Sequence, residues 1–192
     1  MTVQESIDQG APAPALQGGP PHLALSWVQT GWDHSWASGL RSQMDAELRP
    51  RYQALVEQGR RRPLPPRAED IETVWIAVID GKPAATAALL RNPGYWEVKR
   101  VFVSPGFRRR ALAQQALAKV EQSAGGLGVR ELVLQTGILQ PEAIALYARE
   151  GWDRIPGFGP YAGDEGSVCF RKVLWSPQQG PKARPGRALC VS

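Results

Sequence analysis

Residues 97–114, EVKRVFVSPGFRRRALAQ, constrain the fold more than any other part of the chain. Val98, Val101, Phe102 and Val103 are β-branched or aromatic and suit a pleated strand. Pro105 and Gly106 end that strand, one for want of an N–H and the other by its flexibility. Leu112, Ala116, Leu117 and Val120 then recur at helical spacing, which predicts a helix from Arg108 to about Ala124. Arg108, Arg109 and Arg110 therefore fall where the helix is predicted to begin. A helix start carries unpaired N–H groups and the positive end of the dipole, so cations there call for a neutralising anion. A strand, a turn, arginines and a helix start together make a phosphate or pyrophosphate site, or else a solvated basic helix end.

The rest of the chain supplies a sheet around this unit. Residues 1–21 are rich in Ala, Pro, Gly and Gln without periodicity and predict a disordered tail, as does the Pro/Gly/Arg-rich stretch 176–192. A single domain is predicted over 22–175, long enough for a substantial core. A first strand is predicted over 22–29, through Leu23, Leu25 and Trp27. Asp33 or Ser35 then caps a helical stretch to Gln58 that Pro50 divides or breaks. Trp32, Trp36, Leu40, Met44 and Leu48 step by four along it as an apolar stripe. A strand over 73–79 meets the hairpin signal Asp80-Gly81, and strands over 82–91 and 95–104 follow, so these three are antiparallel neighbours. The apolar centre of the strand over 131–136 suits burial on both faces, and with the opening unit it reads as a βαβ crossover. A helix over 140–151, a short strand over 152–155, a glycine- and aromatic-rich loop and a final strand over 167–175 complete an α/β chain. Its sheet is mixed, with helices on both faces.

Composition narrows the function classes. The 192 residues carry 23 Lys and Arg against 18 Asp and Glu, a net charge of +5. This excess favours anionic partners such as a nucleotide cofactor but is too mild to demand nucleic acid. Arg60–Arg62 and the Arg184–Arg187 tail are dispersed basic clusters without a recognition motif, so nucleic-acid binding ranks last. No apolar run is long enough for a membrane span, and the N-terminus carries Glu5 and Asp8 where a signal peptide has a basic then apolar pattern. Cys169 and Cys190 make no metal-like cluster, no metal is expected, and a reduced cytoplasmic setting is the default. His22 and His34 lack ligand-spaced partners.

Two short motifs carry a family resemblance. Arg108-x-x-Ala111-x-Ala113 after Val101-Phe102-Val103 resembles the acyl-CoA-binding motif Gln/Arg-x-x-Gly-x-Gly/Ala of the GNAT superfamily of N-acetyltransferases, with Ala111 in place of the first glycine. Gln140 to Trp152 resembles the second GNAT signature, Asn-x-x-Ala-x-x-Leu-Tyr-x-x-x-Gly-Phe: Ala143, Leu146, Tyr147 and Gly151 match, while Gln140 and Trp152 replace Asn and Phe. The resemblance spans about residues 22–175 and implies a GNAT-like fold with a central, mixed, mostly antiparallel sheet. The run Pro156-Gly157-Phe158-Gly159-Pro160-Tyr161 looks like that of a bacterial branch with a Pro-x-Phe-Gly-x-Tyr loop.

The resemblance implies direct transfer of an acetyl group from acetyl-CoA to the primary amine of a small molecule or amino-acid-like substrate. Val101, Phe102 and Val103 would line the pantetheine. Arg108, Arg109, Arg110, Ala111, Leu112, Ala113 and Gln114 would hold the pyrophosphate, with Gln140 at the head of the second motif. Tyr147 matches the tyrosine that protonates the departing sulfur, against packing as the alternative. Glu97 is the candidate base, directly or through water, against a salt bridge to Lys99 or Arg100 or plain solvation. Strand alternation puts Glu97 on the face of Lys99, Val101 and Val103. Phe158, Tyr161 and Trp96 are aromatic candidates for the acceptor pocket, and a homodimer accords with family habit. The substitution at Ala111 leaves a second class open, a non-catalytic CoA-sensing or partner-binding module.

Overall fold

In a computed structural model of the chain, residues 24–59 and 65–174 are described. The predicted tails, Arg60–Arg62, His22 and Cys190 lie outside these residues. Seven strands form one sheet in the order β1-β2-β3-β4-β5-β7-β6. They are β1 (Leu25–Thr30), β2 (Ile71–Ile79), β3 (Lys82–Asn92), β4 (Tyr95–Val103), β5 (Glu131–Gly137), β6 (Asp153–Ile155) and β7 (Ser167–Val173). Every neighbouring pair is antiparallel except β4 and β5. The helices are α1 (Ser35–Glu57), α2 (Leu112–Gly126) and α3 (Pro141–Arg149). The mixed, mostly antiparallel sheet with helices on both faces is the architecture expected from sequence.

The β2–β3 hairpin forms where Asp80-Gly81 predicts it, with φ of 49° and 73° at the two turn residues. That left-handed pair matches the twist of the flanking strands. Alternation then sorts the strand side chains between two layers. Val74, Ile76, Ala88, Leu90 and Phe102 pack with Ala37 and Leu40 of α1. Ala87, Leu89, Val98, Leu132, Leu134, Val168 and Phe170 pack with Ala116, Leu117 and Val120 of α2 and Tyr147 of α3.

Helix α1 differs from expectation in two ways. It runs unbroken through Pro50. Its N-cap is His34, whose Nδ1 accepts a hydrogen bond from the Trp36 N–H at 3.2 Å. The apolar stripe holds the helix to the sheet despite the proline: Leu40 is fully buried, and Trp32, Trp36 and Met44 pack around the same cluster.

Helix α2 also starts later than expected, at Leu112 rather than Arg108. Residues 105–107 form a 3-10 turn, and the three arginines lie in the loop between that turn and the helix.

Strand β4 contains a bulge that alternation alone does not reveal. Thr86 pairs with Phe102 and Ala88 with Lys99, so Arg100 and Val101 together face Ala87. Arg100 adopts a left-handed φ of 56°. The bulge reverses the parity of the strand. Glu97 and Lys99 therefore do not share a face with Val101 and Val103: Val101 packs in the α2–α3 layer, and Val103 packs with Leu112 of α2.

Leu40→Ala removes a side chain with no solvent exposure from the α1 layer. The expected loss is about 2–5 kcal/mol of unfolding free energy, read from the midpoint of a urea melt monitored by tryptophan fluorescence.

Candidate active site

The site begins where two parallel strands part. Strands β4 and β5 are paired at Glu97–Val133 and Val98–Leu134, and beyond these positions each is paired on its other side alone. A wedge opens between their carboxyl ends, the position at which open α/β sheets receive ligands. It leads to the loop 108–111 and the N-terminus of α2.

This loop is shaped for an anion. Arg109 and Ala111 have φ of 62° and 55°, with Arg110 between them at negative φ. Backbone of alternating hand turns successive N–H groups toward one side. Ala111 is the N-cap of α2, and no side chain caps the helix. Among the described residues, no hydrogen bond takes the N–H groups of residues 109–114. Ala111 does not have the right-handed helical dihedrals expected of it. It occupies a left-handed position that favours glycine, at a cost of about 1–2 kcal/mol for an L-residue.

The three arginines divide. Arg108 is neutralised: its Nε donates to the Val103 carbonyl at 3.1 Å, and its guanidinium pairs with Glu47 of α1. Among the described residues, Arg109 and Arg110 have no carboxylate partner. Leu112 is buried below the loop against Val103, while Ala113 is half-buried and Gln114 exposed. These features fit a pyrophosphate, with two uncompensated cations beside a set of free N–H groups.

Val101, Phe102 and Val103 follow the fork, so their backbone borders the wedge, but the bulge divides their side chains. Val101 and Val103 face the α2–α3 side and Phe102 the α1 side. Gln140 is the N-cap of α3, and its amide donates to the Tyr52 hydroxyl at 3.2 Å. Tyr52 lies so close to Gly137 that a Cβ there would stand 1.8 Å from its hydroxyl, so a side chain at 137 would displace the end of the Tyr52 ring. Glu47, Arg51 and Glu142 form a chain of ion pairs from Arg108 across α1 to the head of α3.

Glu97 sits at the fork on the α1 face, with 3% of its side chain exposed. Its Oε1 lies 2.9 Å from Lys99 Nζ, at an angle that makes the contact an ion pair without a hydrogen bond, and Asn92 Nδ2 donates to Oε2 at 3.4 Å. The salt bridge that sequence offered as the alternative to a base is thus present. Lys99 also donates to the Tyr161 hydroxyl. Phe158 stands edge-on between Tyr95 and Tyr161, with centroids 5.3 and 5.4 Å away. Burial raises the Tyr161 phenol well above its ordinary value, and the charge of Glu97 adds to the effect. Trp96 does not join this group; it packs in the α2–α3 layer.

Tyr147 lies on the other face, in the same cluster as Val98, with Phe170 and Trp152 rings 5.6 and 6.2 Å away. Burial pushes its phenol strongly upward. Cys169 is buried and unpaired on β7. Among the described residues, no group of His, Cys, Asp and Glu is arranged to hold a metal, and no helix is long and apolar enough to cross a membrane.

The Acetyltransferase (GNAT) family profile matches residues 40–152, and the chain belongs to that family. An IAA acetyltransferase of Azospirillum brasilense is 43% identical over 82 residues, covering 42% of this chain and 53% of that protein. The chain thus spans about half the length of this curated relative. A Klebsiella pneumoniae structure assigned as an acyl-CoA N-acyltransferase aligns with a TM-score of 0.64 at 27% identity, over 79% of this chain and 98% of that one. The PaiA N-acetyltransferase of Thermoplasma acidophilum, in complex with coenzyme A, shares the fold: TM-score 0.56, 12% identity, 79% and 99% covered.

The raised phenols give a stability test with a defined sign. A tyrosine whose folded-state value lies above its unfolded value of ~10 contributes fully below pH ~10, and its contribution is lost as pH rises above that. Unfolding free energy should therefore fall above pH ~10. Tyr147→Phe should flatten that fall by about 1.4 kcal/mol per pH unit, as measured by urea melts from pH 9 to 11.5.

Proposed function

We propose that this protein is an N-acetyltransferase that moves the acetyl group of acetyl-CoA directly to the primary amine of a small or amino-acid-like molecule. The observation that carries the reading is the β4–β5 fork, which opens toward the uncapped, arginine-flanked start of α2 and has a buried carboxylate at its apex. The GNAT membership supports acetyl transfer, and the N-acyltransferase assigned to the Klebsiella relative supports an amine acceptor. The loop Pro156 to Tyr161 supports placement in the bacterial branch with a Pro-x-Phe-Gly-x-Tyr loop. A reduced cytoplasmic setting, where acetyl-CoA is made and used, belongs to the same proposal.

Acetyl-CoA supplies the activated acetyl group as a thioester. The N–H groups and arginines of residues 108–114 hold its pyrophosphate, and the free backbone edge of β4 from Lys99 to Val103 lines its pantetheine arm. Glu97 accepts the proton that an ammonium acceptor must lose, directly or through water. Its Oε1 is buried beside the Lys99 ammonium and accepts no hydrogen bond from the described residues, so its lone pairs are not committed to a donor. Backbone N–H groups of β4 past the fork would receive the negative charge that builds on the carbonyl oxygen. Tyr147, on the opposite face, keeps its proton at neutral pH and donates it toward the departing sulfur. The fork thus separates the proposed base from the proposed acid by the thickness of the sheet.

Calorimetry with acetyl-CoA tests the cofactor half. Arg109→Glu should weaken binding at least tenfold. Ala111→Gly should keep or tighten it, with stability unchanged or raised by up to about 1 kcal/mol as the left-handed strain is relieved. A thiol-release assay over an amine panel tests the chemical half: Tyr147→Phe should lower kcat at least tenfold with acetyl-CoA affinity within twofold of the parent. Binding without turnover of any amine would favour the CoA-sensing module instead.

A further inference from the structure

Lys99 is the point at which the buried acid and the aromatic loop meet. Its side chain is 16% exposed, and its ammonium, with three donors, sits between two partners, Glu97 on its own strand and Tyr161 on the loop after β6. The ammonium also lies 4.6 Å from the Tyr161 ring centroid, within cation–π range. Across the sheet Lys99 faces Ala88, whose small side chain leaves room for the lysine stem to lie along the sheet.

The loop is built to deliver Tyr161 to this point. A Cβ on Gly157 would stand 2.2 Å from the Tyr161 carbonyl oxygen, so the approach requires glycine. Gly159, at φ +47°, packs under the Tyr95 hydroxyl, where a Cβ would stand 2.8 Å away. The Tyr161 N–H donates to the Phe158 carbonyl at 2.8 Å and closes a 3-10 turn. Phe158 is held edge-on by the rings of Tyr95 and Tyr161.

From this convergence we propose that Lys99 is a positioning residue. It latches the Gly157–Tyr161 loop onto Glu97, so that the carboxylate and the aromatic wall form one acceptor-binding unit. The acceptor side rests on the acetyltransferase reading above; the latch itself rests on geometry alone. A buried carboxylate that loses its cationic partner is strongly destabilised, and the Tyr161 hydroxyl would lose the side-chain donor that ties it to β4. Removing the ammonium therefore moves both partners. A compact ammonium on a flexible stem serves two partners set at different angles, and a planar guanidinium serves them less well.

Amide hydrogen exchange and kinetics on the full chain decide the matter. Lys99→Met keeps most of the stem and removes the charge. Exchange over residues 157–163 should quicken at least tenfold, while exchange in α2 is unaltered. With an amine that the parent protein acetylates, kcat should fall at least tenfold and acetyl-CoA affinity by calorimetry should stay within twofold. Lys99→Arg should recover part of both effects. Unchanged loop exchange in Lys99→Met overturns the latch. Faster exchange with unchanged kcat overturns the acceptor-unit claim. If Lys99→Met does not fold, Tyr161→Phe removes the other end of the contact, and unchanged loop exchange there overturns the proposal. A parent protein that turns over no amine contradicts the acetyltransferase reading, and the exchange result still decides the latch.

Discussion

The structure depends on the brevity of one strand pairing. Strands β4 and β5 are parallel neighbours for two residue pairs and then separate. A longer ladder would close the sheet and leave nowhere for a ligand to enter, while no ladder would detach the β5–β7–β6 half from the hairpin half. The bulge at Arg100 and Val101 begins two residues beyond the last shared pair. A bulge bends and twists its strand, and this bend carries β4 away from β5 while its other edge stays paired to β3. The free backbone edge of β4, costly if buried without partners, borders the wedge.

Charge is arranged around that opening in two ways. On the α1 side the cations are matched: Arg100 pairs with Asp45, Arg108 with Glu47, Arg51 with Glu142 and Lys99 with Glu97. At the mouth, Arg109 and Arg110 lack such partners among the described residues and lie beside the free N–H groups of α2. Surface ion pairs are worth little individually, so the matched set contributes mainly by orienting α1 over the sheet. The unmatched set is where an incoming anion gains most. Arg108 stands between the two: it is the first residue of the motif proposed to bind phosphate, yet it is already committed to Glu47.

Much of this was legible in the sequence. Asp80-Gly81 announces its hairpin, and the apolar run of β5 announces parallel burial. The two short motifs at their separation announce the family and hence a mixed, mostly antiparallel sheet. The bulge was not legible, because Arg100 carries no glycine signal and the residues around it alternate plausibly in either parity. That one irregularity moves Val101 and Val103 to the face opposite Glu97. Trp96 takes no part in the aromatic wall for a simpler reason: it precedes the bulge, and ordinary alternation puts it with Val98 on the face opposite Glu97. The late start of α2 escaped for a related reason: Arg109 and Ala111 are ordinary helix formers whose left-handed conformations are set by tertiary structure, which overrides propensity. Lys99 was visible as a salt-bridge partner for Glu97, but its contact with Tyr161 joins residues 62 positions apart and has no local signature.

The same irregularity links the two halves of the proposed site. Without the bulge, Val101 and Val103 would share the α1 face with Glu97 and Lys99, placing two apolar side chains between the acid and the wedge. With it, that face presents Glu97, Lys99 and then Phe102, while Val101 and Val103 support α2 from the other side. The left-handed residue at Arg100 is a local strain that the surrounding sheet sustains. It lets one strand offer a polar face toward α1, an apolar face to α2, and an unpaired backbone edge between them.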